Sequence, residues 1–180
     1  MKRILQAAGL SFVMAMSLMG VSKESQAHGP TRQKVVETIQ IDAPPEKVWA
    51  VVKDFGALHT WLPPVVATDA PKGNEIESVR TLTLDGGAKV VEVLKKYDAE
   101  KMSFFYRMTD PGPVPVSNYS SWFSLTPKDG GTEVEWKGAF YRGYPNNDPP
   151  PELNDEAAIK AITGIYQSGL TNLKKMVEGK

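Results

Sequence analysis

Between Ser78 and Tyr141 the chain runs through one alternating apolar and polar segment after another, and it then closes on a single long amphipathic stretch. That order constrains the fold more than any other feature. The segments are 78–84, 88–96, 101–109, 117–125 and 132–141, with Asp-Gly-Gly, DPGPVPV and PKDGG among their connections. Strands in uninterrupted succession, joined by short turns, pair antiparallel. From about Asn154 to Val177, the residues Ile159, Ile162, Tyr166, Leu170, Leu173 and Val177 recur at three- and four-residue spacing, which is the period of a helix with one apolar face. A twisted sheet has a concave apolar face to cover, and this helix is the one element large enough to cover it. The predicted class is α+β: a curved antiparallel sheet of about six or seven strands around a long C-terminal helix, in a single domain over 28–180.

Ahead of these segments, KVVETIQI (34–41) reads as a first strand, with Val36 or its neighbours, Ile39 and Ile41 as the apolar positions. DAPPEKVWAVVKDF (42–55) then opens a helix. Asp42 is the expected cap, Pro44 and Pro45 suit the first turn, and Val48, Val51, Val52 and Phe55 form the inward stripe. GALHTWLPPVV reads as a short irregular or helical piece ended by Pro63 and Pro64, and DAPKGNEIE as a polar loop.

The hairpin SVRTLTLDGGAKVVEVL poses the sharpest question, because Arg80 and Glu92 stand where core residues would pack better. With Asp85-Gly86-Gly87 as the loop, Leu84 pairs with Ala88, Leu82 with Val90, and Arg80 faces Glu92 on the apolar side. A two-residue Gly86-Gly87 loop would slip the register by one and separate the charges. In the first register the pair is either a buried structural bridge or part of a cavity accessible to solvent or ligand, since buried charges must be paired in both cases. The following strands put Met102, Phe104, Tyr106 and Met108, then Tyr119, Ser121, Phe123 and Leu125, then Val134, Trp136, Gly138 and Phe140 on one face each. Polar tips among aromatic rings need partners: one another, water or a ligand. Trp61, Arg80, Leu82, Glu92, Tyr106, Tyr119, Trp136 and Tyr166 are therefore the candidate ligand-binding residues, with Arg80 the expected anchor for a carboxylate or carbonyl. The guest expected there is small and apolar or aromatic. Gly169, three residues after Tyr166, removes volume from the same region.

Lys and Arg total 21 and Asp and Glu total 21, so no broad basic surface favours nucleic acid. The first 27 residues read as a secretory signal peptide: MKR, an apolar Met/Ala/Leu-rich run, then Ser25 and Ala27 at a small-residue cleavage site, which favours cleavage over an uncleaved membrane anchor of near-spanning length. Cleavage after Ala27 would place the protein in a bacterial periplasm, with no membrane span left. The absence of Cys excludes a lipobox and any disulfide. There is no nucleophile elbow, phosphate loop or His-rich metal spacing, so no catalytic residue, resident metal or cofactor is expected. Glu92 would be a weak base if Arg80 held its pKa down. His59 is a candidate proton shuttle or a plain surface residue. His28, at the new N-terminus, is a candidate copper ligand through its amine and imidazole.

This element order, together with IDAPPEKVWAVVKDFG, SVRTLTLDGG, VEVLKKYD, PVSNYSSWFSL and VEWKGAF, resembles the START-like (SRPBCC) superfamily and, within it, the polyketide cyclase/dehydratase-type branch. The export signal and the tail YRGYPNNDPPPELNDEAA are similar to those of the MxaD-type periplasmic proteins of bacterial methanol oxidation. The resemblance implies a helix-grip fold with a cavity between sheet and helix. It places an Arg, a Glu, a Tyr and a Trp of the family pattern at Arg80, Glu92, Tyr119 and Trp136. It implies an accessory role with methanol dehydrogenase and its cytochrome c acceptor, or else a cyclase/dehydratase-like enzyme or a lipid carrier. The loop YRGYPNNDPPPELNDE (141–156), with its Tyr and Pro residues and acidic end, would be the partner surface in the first case, or else a rigid connector with a helix cap.

Overall fold

The computed structural model describes residues 29–179. The signal peptide, its cleavage site and His28 lie outside the described residues. The chain forms β1 (Gln33–Ile41), α1 (Pro45–Val52), β2 (Val65–Asp69), β3 (Val79–Leu84), β4 (Lys89–Asp98), β5 (Ser103–Asp110), β6 (Val116–Lys128), β7 (Gly131–Arg142) and α2 (Asp155–Glu178), with 3₁₀ turns at Phe55–Thr60 and Pro151–Leu153. All seven strands join one antiparallel sheet in the order β1-β7-β6-β5-β4-β3-β2. Apart from β1, which returns beside β7, each strand neighbours the next in sequence. α2 lies in the concave face, as the strand succession requires.

The β3–β4 hairpin takes the three-residue loop. Leu84 donates its N–H to Ala88 O at 2.8 Å and Gly87 to Leu84 O at 2.9 Å. Gly86 and Gly87 both lie at positive φ, 91° and 86°, where a side chain would be strained. Arg80 therefore stands directly opposite Glu92, and Leu82 opposite Val90. The slipped register would have sent the two charges to opposite faces of the sheet.

In β1 the inward face is Val35, Ile39 and Ile41, within the positions expected, and Val36 itself is 53% exposed. Three expectations need correction. Asp42 does not cap α1: Pro44 occupies the cap position without a side-chain bond, and the Asp42 N–H donates to Glu178 Oε1 at 2.9 Å. The piece after Pro64 is not irregular but an edge strand, β2, pairing with β3 through a bulge between Val65 and Ala67. Its signal was invisible because Val65 alone of its five residues is buried, so no alternation reaches the sequence. On α2, Ile159 is 37% exposed, and the neighbouring Ala158 takes the inner position.

The remaining stripe of α2 is as expected: Ile162, Tyr166, Leu170, Leu173 and Val177 are buried. Asn154 caps the helix, accepting from Ala157 N at 2.8 Å, and Gly179 ends it in the left-handed conformation. α1 buries Val48 and Val52 as expected, and also Trp49, whose ring packs against Tyr97 and Phe104. No described helix is long and apolar enough to cross a membrane.

Candidate functional site

Arg80 and Glu92 form a buried ion pair. Arg80 Nε donates to Glu92 Oε2 at 2.7 Å, and the two residues are 2% and 3% exposed. The guanidinium also donates to Phe55 O at 3.0 Å and lies over the Phe55 and Tyr106 rings, 3.9 and 4.8 Å from their centroids. The 3₁₀ turn thus holds Arg80 from one side while β4 and β5 hold it from the other. Arg80 does not hold the Glu92 carboxyl below its ordinary range, so the condition under which Glu92 would be a weak base is not met. Burial pushes Glu92 above its ordinary value, and the charge and single hydrogen bond of Arg80 offset only part of that cost. The contact is one Nε–H to one oxygen rather than a two-pronged fork, so less attraction opposes the desolvation.

Next to this pair, the polar tips of three strands and the helix satisfy one another. Trp136 Nε1 donates to Ser121 Oγ at 3.0 Å and to Tyr106 Oη at 3.1 Å. Ser121 Oγ reaches Lys137 O at 3.0 Å and Tyr166 Oη at 3.1 Å. Tyr166 and Tyr119 share a short hydroxyl contact, and Tyr119 and Tyr106 a longer one of 3.4 Å. A carbonyl can only accept, so the Ser121 proton goes to Lys137 O. The protons then run in one direction: Tyr106 to Tyr119, Tyr119 to Tyr166, Tyr166 to Ser121. With the Ser121 proton on Lys137 O, this direction gives every hydroxyl of the network an acceptor within the network itself. Burial raises the pKa of Tyr106, and raises those of Tyr119 and Tyr166 well above the ordinary phenol value.

Glycine makes this geometry possible twice. A Cβ on Gly138 would collide with the Tyr166 hydroxyl. A Cβ on Gly169 would lie 2.8 Å from Leu62 Cδ1 and 3.0 Å from Trp136 Cζ3. The volume that Gly169 frees is therefore filled by Trp61, Trp136 and Leu62, not left empty. Trp136 stacks on Tyr166 with centroids 4.3 Å apart and meets Trp61 at 5.5 Å.

A cavity of ≈ 90 Å³ lies beside this network. Its wall is mainly aliphatic, from Leu58, Leu62, Leu82, Val90 and Ile162 among others, with Glu92, Tyr106, Tyr119 and Trp136 at the polar end. Since one water needs about 10–15 Å³, it has room for several waters or one small guest, well below the ~300 Å³ lower bound for drug-sized ligands. Pro64, Val114 and Ile165 border both the cavity and an open apolar groove outside it, beside Pro113, Ala161 and Gly164.

Of the residues singled out in the sequence, Leu82, Glu92, Tyr106, Tyr119 and Trp136 line this cavity. Trp61, Arg80 and Tyr166 do not. Trp61 is in the aromatic core, Arg80 supports Glu92, and Tyr166 anchors the hydroxyl chain. His59 is exposed on the 3₁₀ turn and is not among the lining residues. Among the described residues no group of three His, Cys, Asp or Glu side chains is placed to hold a metal. Sequence reasoning gave Ser121 no role, although it was the one small hydroxyl in an aromatic inward row. It also missed Arg142, which is 7% exposed and pins the 142–156 loop by donating to Tyr144 O, Asn146 O and Asp155 Oδ2 at 2.8–3.0 Å.

The sequence model of the family described as polyketide cyclase/dehydrase and lipid transport matches residues 32–178. In Arabidopsis thaliana, MLP-like protein 423 is 25% identical over 130 residues, covering 66% of this chain and 83% of that protein. The structure of XoxI from Bacillus cereus superposes with a TM-score of 0.69 at 27% identity, over 81% of this chain and 95% of that one. The Zhui aromatase/cyclase from Streptomyces sp. R1128 superposes with a TM-score of 0.64 at 17% identity, over 83% of this chain and 93% of that one; at that identity it shows a shared fold alone.

Proposed function

We propose, from the premise that this chain belongs to the polyketide cyclase/dehydrase and lipid transport family, that it is a binding protein for a small, largely apolar molecule held between sheet and helix. The observation that carries this reading is the aliphatic cavity of ≈ 90 Å³ set against a polar network that satisfies itself. Because the tyrosines and Trp136 partner one another, the interior stays stable with or without a guest, as a carrier requires. Pro64, Val114 and Ile165 form the thin wall between cavity and outer groove, and they are the way in.

The finer reading is an exported accessory protein of the MxaD type, acting in the periplasm beside methanol dehydrogenase and its cytochrome c. Its support is the signal-like segment 1–27 and the tail 141–158. In that tail, Asp148, Glu152 and Glu156 are exposed while Arg142 fixes the backbone, so the acidic side chains are presented on a held loop. Two measurements test the whole. Native mass spectrometry of protein purified from the periplasm should give a chain beginning at His28 with a small guest retained. Added to methanol dehydrogenase and cytochrome c, the protein should change the electron-transfer rate. An unprocessed chain without a guest, and no effect on the rate, would reject the proposal.

One observation favours an enzymatic alternative of the cyclase/dehydratase kind: the Glu92 carboxyl borders the cavity and burial raises its pKa, which suits a proton-transfer group. Turnover of a cyclisable substrate that is lost in Glu92→Gln would favour it over carriage.

A further inference from the structure

The polar end of the cavity is built from groups whose protons are already committed. Tyr106, Tyr119, Tyr166 and Ser121 each donate onward along the chain that ends at Lys137 O, and the indole N–H of Trp136 is shared between Tyr106 and Ser121. What remains toward the cavity is acceptor capacity. The largest part belongs to Glu92, a lining residue with Oε2 bound to Arg80; among the described residues no donor is bonded to its other oxygen. The phenol oxygens add spare lone pairs. Arg80 is not among the lining residues, and its Nε and Nη1 are engaged by Glu92 and Phe55 O. The lining group that meets the guest is therefore Glu92 rather than the arginine, and the polarity of recognition is the reverse of the one the sequence implied.

We infer that the cavity selects a neutral hydrogen-bond donor: a small alcohol or phenol whose hydroxyl donates to Glu92 while its hydrocarbon body packs against Leu82, Val90 and Ile162. This inference rests on the ligand-binding reading above and names the class of ligand. A ketone, aldehyde or carboxylate brings only acceptors to a site of acceptors, and would lose its hydration without gaining a partner. An ammonium is disfavoured for a different reason. The Arg80–Glu92 pair is already neutral, so a cationic guest would leave one net charge in a dry interior. The ≈ 90 Å³ volume limits the body to about one small ring or a short branched chain.

Four ring compounds of equal heavy-atom count test this on the unaltered protein: cyclohexanol, cyclohexanone, methylcyclohexane and cyclohexylamine. Binding is read at neutral pH from the shift of the Trp136 indole N–H resonance on titration. Cyclohexanol should bind at least about tenfold more tightly than each of the other three, since a hydrogen bond to a charged acceptor is worth that much or more. In Glu92→Gln, which keeps an acceptor for Arg80 and adds donors toward the cavity, the alcohol's advantage over the ketone should fall to about threefold or less. Equal or tighter binding of the ketone or the amine overturns the inference. Equal binding of methylcyclohexane and cyclohexanol overturns it too, but leaves carriage of small apolar guests standing. If none of the four binds, the inference and the carrier reading fall together. Should Glu92→Gln not fold, the series on the native chain still decides.

Discussion

The hydroxyl of Tyr166 occupies the space that a Cβ on Gly138 would need, so a residue of the C-terminal helix reaches the inner surface of β7 through a gap left by a missing side chain. From there it contacts both Tyr119 and Ser121. The helix is thus keyed to the sheet by one phenol, and the hydroxyl chain depends on that glycine.

Gly138→Ala is expected to destabilise by about 1–3 kcal/mol through overpacking, and Tyr166→Phe by about 1–3 kcal/mol because Tyr119 loses its acceptor. Denaturant titration of each single variant and of the pair checks this. The double variant should cost less than the sum, because both changes act on one contact.

Two glycines of α2 should respond to the same substitution with opposite signs. A Cβ on Gly164 meets nothing within 4 Å, so Gly164→Ala removes the helix cost of glycine and should stabilise by roughly 0.5–1 kcal/mol. A Cβ on Gly169 meets Leu62 and Trp136 inside contact distance, so Gly169→Ala should lower Tm despite the same intrinsic gain. Thermal melts of the two variants under identical conditions separate the effects.

The Arg80–Glu92 pair should be costly to break from one side and far less costly to replace. Arg80→Met leaves a buried carboxylate alone and should destabilise by about 3–5 kcal/mol at neutral pH. Arg80→Met combined with Glu92→Leu should recover much of that loss. Lowering the pH should also narrow the gap between Arg80→Met and the native chain, since protonating Glu92 removes the stranded charge. Urea unfolding at pH 7 and pH 5 reads each of these differences.

Alkali should unfold the protein sharply. Tyr119 and Tyr166 have pKa values raised well above 10.0, so they keep their protons in the fold at a pH where the unfolded chain has lost its own. Unfolding is then linked to proton release, and the stability these groups give is complete below about pH 10 and lost as pH climbs through the folded values. Absorbance of tyrosinate should show Tyr106, Tyr119 and Tyr166 ionising only together with the loss of far-ultraviolet circular dichroism. Independent titration of all six tyrosines near pH 10 would contradict the buried network.

Access to the cavity should depend on the wall shared with the outer groove. Ile165→Trp adds bulk where Pro64, Val114 and Ile165 meet. It should slow guest exchange by tenfold or more with little change in folded stability, measured by exchange broadening in a ligand titration.

Much of this architecture could be read from the chain. Period-two alternation put Phe104, Tyr106, Phe123, Trp136 and Phe140 on inward faces, and Asp-Gly-Gly set the hairpin that joins Arg80 to Glu92. These are local patterns, fixed by backbone geometry within a few residues. β2 escaped because an edge strand with one buried residue carries no period. Ile159 was misplaced because spacing gives a helix's apolar stripe but not where its sheet contact ends.

What the sequence by itself determined is the order of elements, their inward faces and the presence of charge and hydroxyls among aromatics. What only the tertiary structure decided is the use of those groups. Arg80 faces Phe55 and Tyr106 rather than the cavity, Gly169 admits two indoles rather than a void, and the tyrosine protons run inward to Lys137 O. Each outcome depends on atoms brought together from distant parts of the chain, where burial and hydrogen-bond direction, not residue spacing, choose between a filled core and a binding site.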